Sequence, residues 1–395
     1  MVISIIGLGY IGLPTAVILA KNGHKVYGYD TNLSVVDSLN NGRLHIREKG
    51  LQDYFTDAFR AGTFSAHSEL QKADVYIISV PTPFKDNSDR KLADLTYVQE
   101  AAEAVSGILK KGDLVILEST VPPSATKRMT DVLESGSGLD RNSFYTAHCP
   151  ERVLPGNILF ELEHNDRIIG AEREESALLA KSIYESFVKS GAVYVTDDVT
   201  AEMCKLVENS FRDVNIAFAN ELSVICSEIG IDVKELIALA NKHPRVNILS
   251  PGVGVGGHCI AVDPWFLAEK FGQSAALITA ARNINDFKPY WVSSRVEERI
   301  GENKDTVIGV LGLAYKPDID DFRESPSVKL AHILMQKGYS VIAAEPNTEQ
   351  ENIEQIPVMP LQEVLDKAGF IVMTLAHTEF IEKIDIIKQS DCMIL

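Results

Sequence analysis

Apolar positions along the chain fall into short runs separated by helical periods, which predicts strands and helices in alternation. The first run enters a cluster of three glycines, and a helical pattern of apolar residues follows it through residue 20. Strands that alternate with helices are typical of a parallel sheet covered on both faces. In this first part of the chain, strands are predicted at residues 2–6, 25–29, 74–81, 114–120 and 144–149, and a helix at residues 96–110.

The middle of the chain has a different, purely helical pattern. Residues 200–229 contain no Gly or Pro and keep a helical period, so they predict one long helix. Shorter helices are predicted at residues 233–242 and from residue 274 to 282 and beyond, where Pro289 is expected to end or kink the region. The long helix lies between two α/β segments, so we expect it to act as a spine and as a surface for self-association.

The last part returns to the order of strand, glycine and helix. An apolar run at residues 306–312 ends in glycine, a helix is predicted at about residues 327–337, and another strand at residues 339–344. This weak repeat of the first 30 residues indicates a second nucleotide-type domain. The predicted fold class is therefore α/β, with two Rossmann-like, doubly wound parallel-sheet domains joined by a central helical domain. We place the domains at residues 1–199, 200–303 and 304–395.

Composition and charge set limits on partners and location. The chain has 395 residues and a formal net charge of −17, which argues against nucleic acid and anionic membrane surfaces as main partners. Its five cysteines show no paired spacing, so neither a disulfide framework nor a metal site is expected. No apolar run reaches the ~18 residues of a membrane span, and the first strand begins without a signal peptide. We therefore expect a cytoplasmic protein with no membrane partner.

The first strand and helix enclose a dinucleotide-binding fingerprint. Gly7, Gly9 and Gly12 form the pattern G-x-G-x-x-G, which provides a tight turn, room for a pyrophosphate and close packing of the helix. Asp30 ends the second strand, where an acid accepts hydrogen bonds from the adenosine ribose and repels a 2′-phosphate. The pattern predicts NAD as the cofactor in preference to NADP. The alternative is an α/β domain that binds another nucleotide or none.

A glycine-rich stretch at residues 251–267 contains a thiol and is the strongest candidate for chemistry. Cys259 follows four glycines of this loop, and Asp263 lies four residues after it. Such a backbone admits a ligand closely, and a thiol there can attack a bound carbonyl when a nearby group stabilises the thiolate. The alternative is a buried structural cysteine. A Cys–His hydrolase using His258 is disfavoured because consecutive side chains rarely point together, and a non-catalytic nucleotide-binding sensor would not need this loop.

Polar residues next to predicted strands are further candidates. Thr82 and Thr120 follow two strands of the first domain, where ligands of open α/β sheets bind, although turn capping explains them equally well. Lys316 and Arg323 flank the first βα turn of the last domain, where an anionic diphosphate would lie. The alternative for this second pair is ordinary surface charge.

The long helix carries polar residues of its own. Lys205, Asn209 and Arg212 share one stripe, which is either a ligand-facing surface or a solvated one. Asn209, Asn215 and Asn220 are poor helix formers in the middle of the helix, among apolar neighbours. Polar groups in such surroundings need partners, and a ligand is one possible partner.

Five ordered motifs resemble those of the UDP-glucose/GDP-mannose dehydrogenase family over the whole chain. HPRVN at residues 243–247 and FRDVNIAFANE at residues 211–221 resemble the family's mannosamine subgroup rather than its UDP-glucose or GDP-mannose enzymes. Members of the family continue into a short tail where this chain stops at Leu395, so we expect a shortened C-terminus and leave the last sheet edge open. The five motifs lie at residues 148–156, 200–221, 243–247, 256–264 and 312–326.

The resemblance implies a four-electron oxidation of the primary alcohol of UDP-N-acetyl-D-mannosamine to a carboxylate, with two NAD molecules in succession, for surface polysaccharide synthesis. Cys259 would capture the intermediate aldehyde as a thiohemiacetal and then form a thioester that water hydrolyses. Lys205 would stabilise the oxyanions, with support from Asn209. Either Asp263 or Glu151 would activate the hydrolytic water. The alternative substrates are UDP-N-acetylglucosamine and UDP-glucose.

The family pattern also assigns binding roles. It implies NAD binding by the first domain, dimerisation and the catalytic Lys and Cys by the second, and UDP-sugar binding by the third. His243 and Arg245 are expected to reach a neighbouring subunit's site, so the active unit would be at least a homodimer. The implied cofactor contacts are Gly7, Gly9, Tyr10, Ile11, Gly12, Asp30, Thr82, Thr120 and Arg323. The implied sugar-nucleotide contacts are Arg152, Val153, Lys205, Asn209, Arg212, His243, Arg245, Gly256, Tyr315 and Lys316.

Overall fold

The computed structural model describes residues 1–85, 91–154, 156–257, 259–301 and 303–394. Its internal contacts divide the chain into two compact units, Met1–Val207 and Glu208–Leu395. The finer division at residues 199 and 303 remains a prediction. No helix in the described part of the chain is both long enough and apolar enough to cross a bilayer.

The first unit is built on one eight-stranded sheet with the strand order β3-β2-β1-β4-β5-β6-β7-β8. Neighbouring strands are parallel except β6 and β7, which meet antiparallel at His148 and Gly170. The predicted strands are confirmed, and three further strands extend the sheet. The strands are β1 (Val2–Ile6), β2 (Lys25–Tyr29), β3 (Phe64–His67), β4 (Val75–Ile78), β5 (Leu114–Leu117), β6 (Tyr145–His148), β7 (Arg167–Gly170) and β8 (Val193–Thr196).

Helices cover both faces of this sheet because successive strand residues point to opposite sides. In β4, Val75 and Ile77 enter one apolar core, while Tyr76 and Ile78 enter the other. The prediction of a doubly wound parallel sheet is therefore confirmed, with one antiparallel junction added. The helices are α1 (Gly12–Lys21), α2 (Leu33–Asn40), α3 (Leu51–Ala61), α4 (Thr96–Ser106), α5 (Ala125–Ser137), α6 (Ile158–His164) and α7 (Glu174–Tyr184).

The predicted long helix is present as α8 (Asp198–Ile229), 32 residues in length. It ends at Gly230, which adopts φ 74°, a left-handed conformation that terminates helices. Helices α9 (Val233–Ala240), α10 (Asp263–Phe271) and α11 (Ala276–Ile300) follow it. Pro289 does not end α11, because the helix continues past it for 11 more residues.

The second unit also contains a parallel sheet, with the strand order β10-β9-β13-β14. Its strands again bury opposite faces in two cores: Val310 belongs to one and Leu311 to the other. The second Rossmann-like domain is thus confirmed, and the last described strand pairs with β13 at the sheet edge. The remaining elements are β9 (Val307–Leu311), α12 (Pro326–Gln336), β10 (Ser340–Ala344), β11 (Asn352–Ile353), β12 (Ile356–Pro357), α13 (Leu361–Lys367), β13 (Phe370–Met373), α14 (Thr378–Glu382), α15 (Ile384–Ile387) and β14 (Cys392–Ile394).

Candidate active site

The glycine turn between β1 and α1 has the shape that a dinucleotide requires. Gly7 adopts φ 92°, and a Cβ on it would lie 2.5 Å from the Ser79 carbonyl oxygen. A Cβ on Gly12 would lie 1.9 Å from the carbonyl oxygen of Gly7, so α1 packs directly on the turn. A Cβ on Gly9, by contrast, would meet nothing within 4 Å. The turn therefore leaves open space at Gly9, where a pyrophosphate would approach the start of α1.

Asp30 lies beside this turn at the end of β2. Its carboxylate accepts hydrogen bonds from the backbone N–H of Leu8 and of Asn32, both at 2.9 Å. The first bond joins the acid to the glycine turn itself, so the ribose acceptor and the pyrophosphate site are held together. Tyr10 and Ile11 complete the turn, and Tyr10 is exposed. The described residues thus fit a bound NAD.

The ends of β4 and β5 are tied together by hydroxyl groups. The Thr82 hydroxyl donates to the Thr120 carbonyl oxygen at 2.8 Å, and the Ser119 hydroxyl donates to the Val80 carbonyl oxygen at 2.7 Å. Thr82 therefore uses its own hydroxyl proton to fix the loop. Both threonines lie beyond the carboxyl ends of strands in the sheet that carries the glycine turn, which is where ligands of such sheets bind.

Glu151 and Arg152 follow β6. Glu151 is buried and forms an ion pair with Arg167 of β7, with 3.0 Å between Oε2 and the guanidinium nitrogen. Its other oxygen accepts the backbone N–H of Arg152 at 2.7 Å. The Arg152 guanidinium donates to the Asp166 carbonyl oxygen at 3.1 Å, and Val153 packs against the core of the first unit. The candidate base is therefore fixed by two donors.

Lys205 lies on α8 with its side chain largely buried. Three residues before it, the buried Glu202 accepts the backbone N–H groups of Ser124 and Thr126 at 2.5 and 2.7 Å. These bonds attach the first turns of α8 to the start of α5. The part of α8 that carries Lys205 is therefore held against α5.

The polar stripe on α8 divides by burial. Asn209 is buried, and its side-chain NH₂ donates to the Asp263 carboxylate at 2.5 Å. This partner differs from the one expected for it, Lys205. Arg212, one turn further, is exposed. The stripe is therefore buried at Lys205 and Asn209 and open at Arg212, where solvent or a ligand can reach it.

Cys259 is exposed at the end of its glycine loop, so the interpretation of a buried structural cysteine is wrong. Its carbonyl oxygen accepts the backbone N–H of Asp263 at 2.9 Å. Asp263 is buried and is the first residue of α10, where the N-terminus of a helix stabilises a carboxylate. The loop thus places an accessible thiol one turn before a buried acid. His258 lies outside the described residues.

The glycines before Cys259 allow close packing on the last domain. A Cβ on Gly256 would lie 2.6 Å from the Glu324 carbonyl oxygen, and one on Gly257 would lie 2.8 Å from the Tyr315 ring. The Gly257 N–H also donates to the Arg323 carbonyl oxygen at 3.1 Å. Tyr315 and Arg323 are therefore next to the thiol loop.

Charge accompanies this contact. Hydrogen bonds to Asp321 raise the pKa of the Arg323 guanidinium, and the negative charge of a Cys259 thiolate adds to the effect. Burial raises the pKa of the Tyr315 hydroxyl, again with a contribution from Asp321 and Cys259. The Cys259 sulfur is therefore within electrostatic range of a cation, which a nucleophilic thiolate needs. Lys316, the next residue after Tyr315, is exposed.

A buried polar network holds the start of the loop. The side-chain amide oxygen of Asn220 accepts the Gly252 N–H at 2.8 Å, and its side-chain NH₂ donates to the amide oxygen of Asn285 at 2.8 Å. Asn285 donates to Asp213 at 2.8 Å, and Arg282 pairs with the same carboxylate at 2.6 Å. The polar partner required for Asn220 is thus this network. Asn215 instead donates to the carbonyl oxygen one turn earlier in α8.

His243 and Arg245 lie in the turn after α9. Both side chains are exposed, and the Arg245 N–H donates to the His243 ring nitrogen at 3.3 Å. Their expected role at a neighbouring subunit's site stays a prediction. No group of three or more metal-binding side chains occurs in the ranges that the structure describes.

Three acidic or basic residues near the site have no counterpart in the sequence-based hypotheses: Glu48, Glu118 and Arg167. Glu48 accepts the backbone N–H groups of Gly156 and Ile158 at 2.8 and 2.9 Å, and so fixes the loop after Glu151. Glu118 and Arg167 are fully buried. In the sequence, Glu118 and Arg167 are marked only as charged residues at the end or the start of an apolar run.

A glycine turn, a ribose acceptor at Asp30 and an exposed thiol at Cys259 are typical of an NAD-dependent dehydrogenase that oxidises its substrate through a covalent intermediate. Three family models match in order: the NAD binding domain of the UDP-glucose/GDP-mannose dehydrogenase family at residues 1–188, its central domain at 199–287 and its UDP binding domain at 309–393. The chain belongs to the UDP-glucose/GDP-mannose dehydrogenase family. The resemblance in the motifs is thereby confirmed, and NAD is the cofactor.

Relatives and solved structures agree with this assignment. An NDP-N-acetyl-D-galactosaminuronic acid dehydrogenase from Ralstonia nicotianae is 46% identical over 96% of this chain and 91% of its own length. A UDP-N-acetyl-D-mannosamine dehydrogenase from Yersinia pestis is 46% identical over 96% of this chain and 94% of its own length. The structure of a UDP-D-ManNAc dehydrogenase from Pyrococcus horikoshii superposes with a TM-score of 0.91 at 38% identity, covering 100% of this chain and 95% of the other.

Proposed function

We propose that this chain oxidises UDP-N-acetyl-D-mannosamine to UDP-N-acetyl-D-mannosaminuronate with NAD, as a step in surface polysaccharide synthesis. The observation that carries the proposal is Cys259, an exposed thiol on a glycine loop packed against Tyr315 and Arg323. A simple alcohol dehydrogenase does not need such a thiol, whereas oxidation to the acid uses it to hold the aldehyde. The mannosamine assignment is supported by the motifs at residues 211–221 and 243–247 and by relatives of that name.

In the first half of the reaction, a base removes the proton from the primary alcohol. NAD, when bound, accepts the hydride in each of the two oxidation steps. The Cys259 thiolate then attacks the aldehyde carbon and forms a thiohemiacetal, so the aldehyde stays bound between the steps. Lys205 stabilises the negative charge on the substrate oxygen, a contribution of about 3–4 kcal/mol for one well-placed donor.

In the second half, the thiohemiacetal loses its hydride and becomes a thioester on Cys259. Water attacks the thioester carbon, the carbon–sulfur bond breaks, and the uronate leaves as the thiolate is restored. We assign Glu151 as the base for this water. Asp263 begins α10 and its carboxylate accepts a hydrogen bond from Asn209, so it is tied to the cysteine loop itself. Asp263 instead orients Asn209 and the cysteine loop.

The remaining binding residues keep the roles that the family pattern implies. Tyr315 and Gly256 lie in contact next to Cys259, and they would hold the sugar nucleotide with Lys316, Arg152, Val153 and Arg212. Arg323 would contact NAD while its charge favours the thiolate. His243 and Arg245 would serve a neighbouring subunit.

A second substrate has a specific observation in its favour. The Ralstonia relative named for an N-acetylgalactosaminuronic acid is as similar to this chain as the mannosamine enzymes, at 46% identity. The two sugars differ in the placement of ring substituents, which pocket contacts discriminate. NADH formation measured at 340 nm with UDP-N-acetylmannosamine, UDP-N-acetylgalactosamine, UDP-N-acetylglucosamine and UDP-glucose tests the assignment. The highest kcat/KM is expected for the mannosamine, and a preference for any other sugar overturns it.

The reaction is expected to yield two NADH per sugar consumed, with no free aldehyde. The reason is that one cysteine site performs both oxidations and keeps the intermediate covalently bound. Absorbance at 340 nm gives the NADH, and chromatography of the sugar nucleotides gives the substrate consumed. An aldehyde-trapping reagent provides the control. A ratio of one with released aldehyde would contradict the covalent mechanism.

The enzyme is expected to prefer NAD over NADP by at least about tenfold in kcat/KM, on the order of 1.4 kcal/mol, because Asp30 repels a 2′-phosphate. Asp30→Asn removes the charge but keeps the shape, so the preference should shrink mainly through better use of NADP. Asp37→Asn, at an exposed position of α2, is the matched control and should leave the ratio unchanged. Equal use of both cofactors by the unaltered enzyme would show that Asp30 does not face the ribose.

We also infer that the active form is a homodimer or a larger homo-oligomer. Phe211, Phe218 and Ile225 recur every seven residues on α8 with exposures of 68%, 52% and 43%. Such a stripe of large apolar side chains on a 32-residue helix fits the same face of a second copy. A cytoplasmic location remains a prediction.

A further inference from the structure

A buried cluster of ionisable groups lies at the carboxyl ends of β5 and β6 and the start of β7. Its members, here called the Arg167 cluster, are Glu118, Cys149, Glu151, Arg167 and Tyr184. All of them are at most 8% exposed. The cluster belongs entirely to the first unit, and within it only Glu151 has a place in the proposed reaction.

Arg167 is the centre of the cluster. One guanidinium nitrogen lies 3.0 Å from Glu151 Oε2, and another lies 3.8 Å from the Cys149 sulfur. The guanidinium also lies over the rings of Tyr184 and Phe187, with 4.8 and 5.1 Å between its carbon and the ring centres. The guanidinium thus contacts two aromatic rings and uses two of its nitrogens, which restricts the orientation of the Arg167 side chain. Arg167 in turn restricts the orientation of the Glu151 carboxylate that it pairs with.

The other acid of the cluster has no such partner. Glu118 Oε1 accepts the Tyr184 hydroxyl at 3.3 Å, but Glu118 has no ion pair among the described contacts. Burial raises its pKa to about 8, and the nearby charge of Glu151 adds to this, while Arg167 opposes it. Glu118 is therefore mostly protonated at neutral pH. Burial likewise raises the pKa of Cys149 to about 12, so this thiol is neutral.

Two carboxyl groups in one buried site cannot both ionise without a cation, because burial and like charge both favour the protonated form. The groups that interact with Glu151 are Arg167 of β7, in an ion pair at 3.0 Å, and Glu118 and Cys149, which follow β5 and β6. Arg167 is the one cation among them. Without Arg167, Glu151 would be, as Glu118 is, a buried carboxyl group with no ion pair to another described residue.

We propose that Arg167 is a positioning residue that holds Glu151 as an oriented carboxylate, ready to accept the proton of the hydrolytic water. This role rests on the proposed function, in which Glu151 is the base. It also accounts for Glu118, which stays protonated so that the cluster carries one negative and one positive charge. An ion pair broken on one side leaves an uncompensated buried charge, so Glu151 would take up a proton when Arg167 is removed.

The test is the pH dependence of complete turnover by the full chain, with NAD and UDP-N-acetyl-D-mannosamine. Arg167→Met removes the cation but keeps an unbranched side chain against the two rings. The acidic limb of the kcat profile is expected to move up by at least about one pH unit, because the base is protonated over a wider range. On the acidic side of the shifted limb, turnover should fall about tenfold for each pH unit of the shift, and it should recover towards that of the unaltered enzyme at pH 9. A purely structural role would lower the rate at all pH values alike.

Arg167→Lys is the conservative variant, and should shift the limb by less than half as much because it keeps the charge. Glu118→Gln is the matched control; it should leave the limb in place because this acid is already protonated. Thermal unfolding with and without NAD checks that each variant folds. If Arg167→Met does not fold, the double variant Arg167→Met with Glu151→Gln, which removes both charges, should fold, and the lysine variant carries the pH test.

Two outcomes would overturn the inference, and they are distinguishable. An unshifted acidic limb in both arginine variants, while Glu151→Gln abolishes turnover, would leave Glu151 as the base and remove the role of Arg167. Full turnover by Glu151→Gln would instead show that Glu151 is not the base, which overturns the proposed chemistry itself.

Discussion

Replacing Cys259 with alanine is expected to lower complete turnover to the uronate at least about 10²-fold, with near-normal binding of NAD and the sugar nucleotide. The first hydride transfer needs alcohol, base and cofactor, so it survives in part. The second needs a tetrahedral adduct, which in this variant forms only by hydration of the aldehyde. NADH yield and uronate formation, measured with alcohol and with supplied aldehyde, follow the two steps separately.

Cys149→Ala is the matched control, since Cys149 is a buried thiol with its pKa raised to about 12 and cannot supply a thiolate at neutral pH. Its turnover should be closer to that of the unaltered enzyme, although the lost packing next to Arg167 would cost roughly 1 kcal/mol of unfolding free energy. Uronate formation by Cys259→Ala at the normal rate would mean that the hydrate route suffices. The assignment of the nucleophile would then be wrong.

Replacing Gly12 with alanine is expected to abolish NAD binding and to lower the unfolding temperature even without ligand. The new Cβ would lie 1.9 Å from the Gly7 carbonyl oxygen, so the turn or α1 must shift. Overpacking of this kind typically lowers the free energy of unfolding by about 1–3 kcal/mol. A change of this size is readily measured by thermal unfolding. Thermal unfolding of the free chain and titration with NAD measure the two effects.

The Gly9→Ala variant distinguishes an effect on the stability of the free chain from an effect on NAD binding. Its Cβ would meet nothing within 4 Å, so the free chain should unfold as before while NAD affinity falls. Gly107→Ala, at an ordinary contact distance of 3.6 Å from the Ala104 carbonyl oxygen, should leave both unchanged. Normal NAD binding by Gly9→Ala would contradict the placement of the pyrophosphate at this turn.

Features that depend on near neighbours along the chain were predictable. The alternation in β4 and the uninterrupted period of α8 predicted those elements, because side-chain direction repeats every two residues in a strand and every 3.6 in a helix. Gly7 and Gly12 were likewise predictable, since a tight turn with close helix packing accepts little else. Gly9 and Asp30 were predictable from their places in the dinucleotide-binding pattern. Of the two outcomes expected at Pro289, an end of the helix is wrong, because α11 continues past it to Ile300.

The partners of buried polar groups were decided only by the tertiary structure. Asn209 finds Asp263, 54 residues away, rather than Lys205 on its own helix. Glu48 fixes the loop 108 residues later in the chain. No local period links such positions, because strand order and packing bring them together. Local sequence pattern predicted five strands of the first sheet, helix α8, the dinucleotide turn and the thiol loop, because these depend on near neighbours along the chain. Only the fold brings Glu151 to Arg167 and leaves Glu118, in the same buried cluster, without an ion pair among the described contacts.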